Sequence, residues 1–262
     1  MFSTFWNFVL VSPILNLLMA LYRLTGSLGW SIILLTAIVR AVLIPVVAPS
    51  MKTMKKQRDL QPELNKLKEK YKYDQKKLAQ EQMAMFKQHG INPASGCLSQ
   101  IVMIAVLIAL FSVIQMFAIK NDVNRINSKI YFSNFMLAAE EKIPTNFGYL
   151  DLAKPDPYFV FAILSGILQY VASKMMIPYV EKAEKVAEKT PPKTDDLAFQ
   201  MQQQSLYMMP IMNIIIGVTL PSGIMVYIVV TTLFTIVQNY YSSGWGGMKP
   251  YINKLHLVKK VI

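Results

Sequence analysis

The chain has 262 residues, 53% of them hydrophobic and only 16% charged, with a mean hydropathy of +0.35. Soluble domains usually carry about 25% charged residues, and here the apolar residues fall in long uncharged blocks, which excludes an ordinary soluble globule. The formal charge is +12, from 27 Lys+Arg against 15 Asp+Glu, a balance suited to phosphate-rich partners such as RNA or anionic lipid headgroups. One cysteine, Cys97, and two histidines give no disulfide and argue against a multi-ligand zinc, haem or iron–sulfur site, so no cofactor is expected.

Residues 1–25 place Phe2, Phe5, Trp6, Val9, Leu10, Ile14, Leu17, Leu18 and Leu21 at helical spacing, with Asn7, Asn16 and Arg23 elsewhere on the wheel. That pattern predicts an amphipathic helix in the membrane interface. A secretory signal peptide fits less well, because Met1 to Leu10 holds no Lys or Arg.

A membrane helix needs about 20 mostly apolar residues. Five stretches qualify as predicted spans: 26–48, interrupted by Arg40; 96–119, without charge; 157–179, with Lys174 near one end; and 206–220 with 221–241, joined through Pro221-Ser222-Gly223. Residues 49–95 hold 11 basic and 5 acidic residues, the loops at 120–156 and 180–205 are nearly balanced, and the tail at 242–262 has 4 basic residues and no acid. Cytoplasmic segments carry the Lys/Arg excess, so residues 49–95 and the tail are expected inside, with the N-terminus and the 120–156 loop outside.

Residues 49–95 read as a helical hairpin. Leu60, Leu64, Leu67 and Tyr71 form one stripe, Leu78, Met85 and Phe86 another, and Lys72-Tyr73-Asp74 is the turn. Its basic residues, among them Lys55, Lys56, Arg58, Lys66, Lys70, Lys76 and Lys77, decorate a solvated face that can also dock an acidic partner, ribosomal RNA or lipid headgroups. In the outer loop, Tyr131-Phe132 and Phe135-Met136 suggest a further surface helix.

These pieces together carry a resemblance. Arg40 precedes Leu43-Ile44-Pro45, and the basic hairpin contains Leu60-Gln61-Pro62-Glu63-Leu64 and Lys70-Tyr71-Lys72. Then come His89-Gly90-Ile91-Asn92-Pro93 and Gly96-Cys97-Leu98, Pro221-Ser222-Gly223, and Thr235-Ile236-Val237-Gln238. Their order and spacing over about residues 28–240 resemble the YidC/Oxa/Alb family of membrane protein insertases, in its five-span bacterial form. Ser99-Gln100 stands where family members often have a proline soon after Gly-Cys-Leu. The resemblance implies an all-α membrane protein of five transmembrane helices with the outer amphipathic helix and cytoplasmic hairpin, in the bacterial plasma (inner) membrane. The expected partners are nascent membrane proteins, lipid, the ribosome through the hairpin and tail (Lys254, Lys259, Lys260), and the Sec translocon, with the monomer as the working unit.

Arg40 is the sharpest single feature. An arginine at a helix centre costs roughly 2.5–3.5 kcal/mol on translocon scales, and no carboxylate lies in any predicted span. A water-filled cavity resolves that cost. Thr36 lies one turn before Arg40; Ser165, Gln169 and Ser173 form a stripe on the third span; Asn213, Thr231 and Thr235 offer polar groups on the last two. By resemblance, Arg40 lines a groove open to the cytoplasm that draws in the polar tail of a nascent protein. The second and fourth spans, with Met103, Phe111, Met208, Met209 and Met212, would then form the slide for its apolar segment, methionine being an adaptable contact surface. The chain lacks a phosphate loop, paired membrane aspartates and any histidine within a span, so no enzyme and no catalytic residue is expected. A Sec-associated assembly chaperone and an anion channel past Arg40 are the alternatives.

Overall fold

The computed structural model describes residues 6–71, 73–91, 95–117, 123–138, 141–176 and 197–252. It is helical nearly throughout. A π-helical turn, Asn7–Val11, leads into α1, Ser12–Thr25; α2 is Leu28–Asp59, α3 Gln61–Lys70, α4 Gln75–Gln88 and α5 Ser95–Gln115. After a short α6, Val123–Asn127, come a two-stranded antiparallel hairpin (β1 Asn146–Phe147, β2 Leu150–Asp151), α7 Val160–Met176, α8 Leu197–Thr219 and α9 Ser222–Ser243. Among the described residues, Asn7–Thr25, Leu28–Gln57 and Ser222–Ser242 are long and apolar enough to cross a membrane by length and composition, and Ile101–Gln115, Val160–Met176 and Leu206–Thr219 are shorter apolar helices.

Two helices run beyond the expected ends of their spans. α2 does not stop near Ala48 but continues through Pro45 and Pro49 to Asp59. Each proline forfeits one i→i−4 bond, a loss tolerated where the surroundings favour helix. α8 begins at Leu197, ahead of its apolar run, because the glutamines at 200 and 202–204 are good helix formers. The end of the third span and most of the loop at 180–205 lie outside the described residues, as does the tail beyond 252.

The helices carry their exposed apolar residues in stripes: Trp30, Leu34, Ile38 and Val42 on α2; Ile101, Ile104 and Ile108 on α5; Val160, Ile163, Leu164 and Ile167 on α7; Met208, Ile211, Met212 and Ile215 on α8. Apolar side chains exposed at i, i+3/i+4 spacing suit lipid contact.

The chain divides into two units. The first comprises Met1–Ile44, Gln100–Leu168 and Pro210–Phe234. Its core holds Leu15, Leu18, Met19, Ile32, Leu110 and Ile114 with Ile126, Leu150 and Leu152, so the 120–156 loop is built into the core. The polar residues of α1 bond to that loop. Asn16 donates to the Lys129 carbonyl (2.9 Å) and accepts from the Tyr131 N–H (2.7 Å), Lys129 reaches Asn7 (2.8 Å), and Arg23 forms a fork on Glu141 (2.7 and 3.1 Å). α1 is therefore covered on its polar side by protein; Asn16 is only 7% exposed.

The surface helix expected at 131–136 is a single 3-10 turn, Ser133–Phe135. Asn127 bridges to both the N–H and the carbonyl of Leu137 (2.9 and 2.8 Å), closing the segment as a loop. The hairpin and the residues immediately after it fasten two helix starts. Lys154 and Leu152 carbonyls accept from Ser222 and Gly223 N–H groups (2.7 and 3.0 Å), satisfying donors at the start of α9 that a helix leaves unpaired. Buried Asp156 accepts from the N–H groups of Tyr158 and Phe161 (3.0 and 2.9 Å) at the start of α7. α7 and α8 meet through small residues: a Cβ at Gly166 would lie 2.5 Å from Ile214, and one at Gly217 would lie 3.0 Å from Ala162.

The second unit comprises Pro45–Ser99, Gln169–Met209 and Thr235–Ile262. Here α3 carries a proline in its first turn, Asp74 caps α4 by accepting from the Lys77 N–H (3.0 Å), and α3 and α4 touch. Leu60, Leu64 and Ile91 are buried in this unit.

The Arg23 guanidinium, with the Ala138 N–H, holds the Glu141 carboxyl below the usual glutamate range. A carboxyl depressed on folding stabilises above its unfolded value, about 4.3, and that contribution is lost as pH falls through the folded value. The C-terminal turn of α1 should therefore be fully held at neutral pH and loosen below about pH 4. Glu141→Gln should loosen it at neutral pH. Lower amide protection over Leu21–Thr25, taken against the intrinsic exchange rate at each pH, is the expected result in both cases, and unchanged protection would contradict it.

Candidate functional site

The site centres on Arg40, near the middle of α2. Although charged, Arg40 is only 7% exposed, and its Nη2 donates to the Thr231 main-chain carbonyl of α9 at 3.1 Å. Tyr227, one turn earlier on α9 and also buried, lies beside both the guanidinium and the Thr231 hydroxyl. A carbonyl carries no net charge, so this bond orients the guanidinium without cancelling its positive charge. Arginine suits such a role because its planar fork presents several N–H donors in a fixed geometry, one of which this carbonyl accepts.

Thr36, one turn before Arg40, is 1% exposed and turns its hydroxyl onto the Ile32 carbonyl (2.6 Å). It lines a narrow apolar cleft with Ile14, Leu35, Val39, Val106, Leu110 and Tyr227. Ser165 is fully buried and donates to the Ala162 carbonyl (2.8 Å). Both hydroxyls thus have local helix bonds, the commonest arrangement for such residues within a helix.

The polar stripe expected on the third span is divided between the two units: Ser165 belongs to the first, Gln169 and Ser173 to the second. Gln169 reaches Ser173 Oγ at 3.4 Å. Thr231 belongs with Arg40, Thr235 with Gln169, and half-buried Asn213 with the first unit. Among the groove residues, Arg40 bonds to Thr231 in the first unit and Gln169 to Ser173 in the second.

Among the expected slide residues, Met208, Met209 and Met212 are 50%, 54% and 44% exposed, whereas Met103 and Phe111 are half-buried. Lys55, Lys56, Lys66, Lys70, Lys76 and Lys77 are exposed, and the ammonium groups of Lys70 and Lys77 lie 5.2 and 5.4 Å from the Tyr71 ring centroid. The Arg58 side chain and Lys254, Lys259 and Lys260 lie outside the described residues.

Tyr227 is the site residue that the sequence pattern alone did not single out. The signal was its place four residues before Thr231, on the same helix face.

A family model described as 60Kd inner membrane protein matches residues 20–246. The membrane protein insertase MisCA of Bacillus subtilis is 30% identical over 245 residues, covering 92% of this chain and 80% of that protein. The membrane protein insertase YidC of Fusobacterium nucleatum is 30% identical over 219 residues, covering 84% and 87%. YidC of Geobacter sulfurreducens is 30% identical over 236 residues, which is 90% of this chain but 37% of that longer protein. A crystal structure of an active YidC insertase with its first transmembrane domain resolved superposes with a TM-score of 0.54 at 23% identity, over 85% of this chain and 43% of that one. That superposition bears on the fold.

Removing the buried charge while keeping the stem should not weaken the fold. Arg40→Met relieves a desolvation cost of roughly 2.5–3.5 kcal/mol, of the same order as what a buried guanidinium gains from its hydrogen bonds, about 1.5–3 kcal/mol for one charge-assisted bond. The detergent-solubilised variant should therefore melt at or slightly above the wild-type temperature. A large fall in Tm would mean that Arg40 is a structural strut.

Proposed function

The chain belongs to the 60Kd inner membrane protein family, the YidC/Oxa/Alb family of membrane protein insertases, and we propose that it draws the hydrophilic tail of a nascent membrane protein toward Arg40 through a groove open to the cytoplasm. The observation that carries this reading is a guanidinium buried in the apolar stretch of α2 and oriented by a main-chain carbonyl. A fixed positive charge in that setting attracts an acidic or polar tail by about 1 kcal/mol in water-like surroundings at 4 Å and about 4 kcal/mol at an effective dielectric of 20. The attraction shortens the hydrocarbon path that the tail must cross. The substrate's apolar segment then leaves into lipid along α5 and α8, driven by about 25 cal/mol per Å² of apolar area withdrawn from water. Exposed Met208, Met209 and Met212 suit that passage. Asn213 supplies further polar lining, and no nucleotide is required.

The chain is an integral membrane protein, and we assign it to the bacterial inner membrane with the N-terminus outside and the C-terminus inside. α1 lies along the outer face in this arrangement. Asn7, Asn16 and Arg23, about 24 Å apart end to end at 1.5 Å per residue, all bond to residues 129–141, a segment that would have to cross the membrane with α1 if α1 spanned it. The exposed lysines of α3 and α4 dock the ribosome through its RNA, together with the basic tail, and the Sec translocon is a co-worker. The monomer is the working unit.

The test is insertion of a single-span protein with a short acidic outer tail into proteoliposomes. Arg40→Lys should retain at least half of wild-type insertion and Arg40→Ala should lose about tenfold, the rate equivalent of 1.4 kcal/mol. Equal activity in all three would remove Arg40 from the mechanism. No insertion by wild type would return the chain to an assembly role beside Sec.

A further inference from the structure

The segment after α9 folds back in an ordered way. Gly244 ends α9 in the left-handed conformation (φ +65°), with its N–H donating to the Tyr240 carbonyl at 2.8 Å. The Trp245 ring returns onto Tyr240, with centroids 5.0 Å apart. A 3-10 turn, Gly246–Met248, then redirects the chain into a helical turn over residues 249–252. Gly246 has φ +47° and is buried with Gly247, so this reversal depends on residues without a Cβ.

Tyr251 ends the excursion against α7. The Lys174 ammonium lies 5.8 Å from its ring centroid, and its hydroxyl lies close to that of Tyr170. The Tyr170 ring packs on Tyr207 of α8, with centroids 6.2 Å apart and planes 33° apart. Four side chains from three separate parts of the sequence thus form one aromatic cluster, and all four belong to the second unit. Tyr207 and Tyr251 are 53% and 50% exposed. Contacts of this kind are modest individually at exposed sites, which makes the cluster strong enough to bias the tail and weak enough to open.

We propose that Tyr251 is a positioning residue, a latch that seats the start of the basic tail on α7 and α8 and so delivers a tail-bound partner to the helices bearing Gln169, Ser173, Met208 and Met209. The delivery role rests on the function proposed above; the latch itself does not. Chain length explains why seating matters. From a latched Tyr251, Lys254 is three residues away, a reach of about 10 Å at ~3.5 Å per residue. From the end of α9 at Ser243 it is eleven residues away, a reach of about 38 Å by the same measure. Effective concentration falls roughly as the −3/2 power of linker length, so releasing the latch dilutes a tail-bound partner on the order of tenfold at the mouth of these helices.

The experiment uses the full chain in membrane vesicles with the cytoplasmic face outward. Trypsin cleavage in the tail, at Lys254 and Lys259, is followed in wild type, Y251A and Y251F. Y251A should be cleaved at least fivefold faster than wild type. Y251F, which keeps the ring under Lys174 but loses the hydroxyl, should fall between them. Insertion is then measured for one substrate presented in two ways. Y251A should slow insertion from translating ribosomes severalfold and leave insertion of the released, full-length substrate unchanged. Equal trypsin rates in wild type and Y251A would overturn the latch, and equal slowing of both insertion modes would overturn the delivery role. If wild type inserts by neither route, the insertase reading itself fails, while the trypsin rates still decide the latch.

Discussion

A positive charge held within an apolar helix is the constraint on which this molecule turns. Lysine at position 40 would keep a charge but lose the planar fork that donates to the Thr231 carbonyl; leucine would pack easily and carry no charge. Arg40 costs roughly 2.5–3.5 kcal/mol in such a setting, and the bond to α9 returns part of that by giving the guanidinium an acceptor.

The other polar residues of the first unit serve to hold that arrangement. Asn16 joins α1 to the 120–156 loop, Asp156 fixes the start of α7, and the carbonyls of Leu152 and Lys154 hold the start of α9, the helix that carries Thr231. That loop thus works as a clasp over the helix ends. Its apolar residues Ile126, Leu150 and Leu152 are buried in the same core as α1. Small residues at Gly166 and Gly217 let α7 and α8 approach closely, as expected where hydrophobicity alone gives helices no reason to associate.

Much of this was legible in the sequence because it depends on local pattern. Long apolar runs, the charge at position 40, the leucine stripes of α3 and α4 and the turn before Asp74 each follow from spacing over a few residues. What was not legible depends on partners distant in the chain. Nothing near Asn16 announces that Lys129 and Tyr131 will satisfy it, so α1 reads as a helix with a wet polar side when that side is covered by protein. The sequence offers Thr36 and Ser165 as polar groups of the groove but does not show that their hydroxyls bond one turn back along their own helices. Tyr170, Tyr207 and Tyr251 are ordinary singly and gain meaning only when the tail reversal at Gly244 and Gly246 brings them together.

The central claim is that Arg40 exerts its field in a space reached by water from the cytoplasm. Thr231→Cys tests it directly, since the substitution keeps the main-chain carbonyl that holds Arg40. With Cys97 replaced by serine, thiol labelling is followed with anionic and cationic methanethiosulfonates of similar size, added from either side of the membrane. The expected result is labelling from the cytoplasmic side, faster with the anionic reagent, with the preference abolished by Arg40→Met. Labelling from the outside alone, or a reagent preference indifferent to Arg40→Met, would contradict the account.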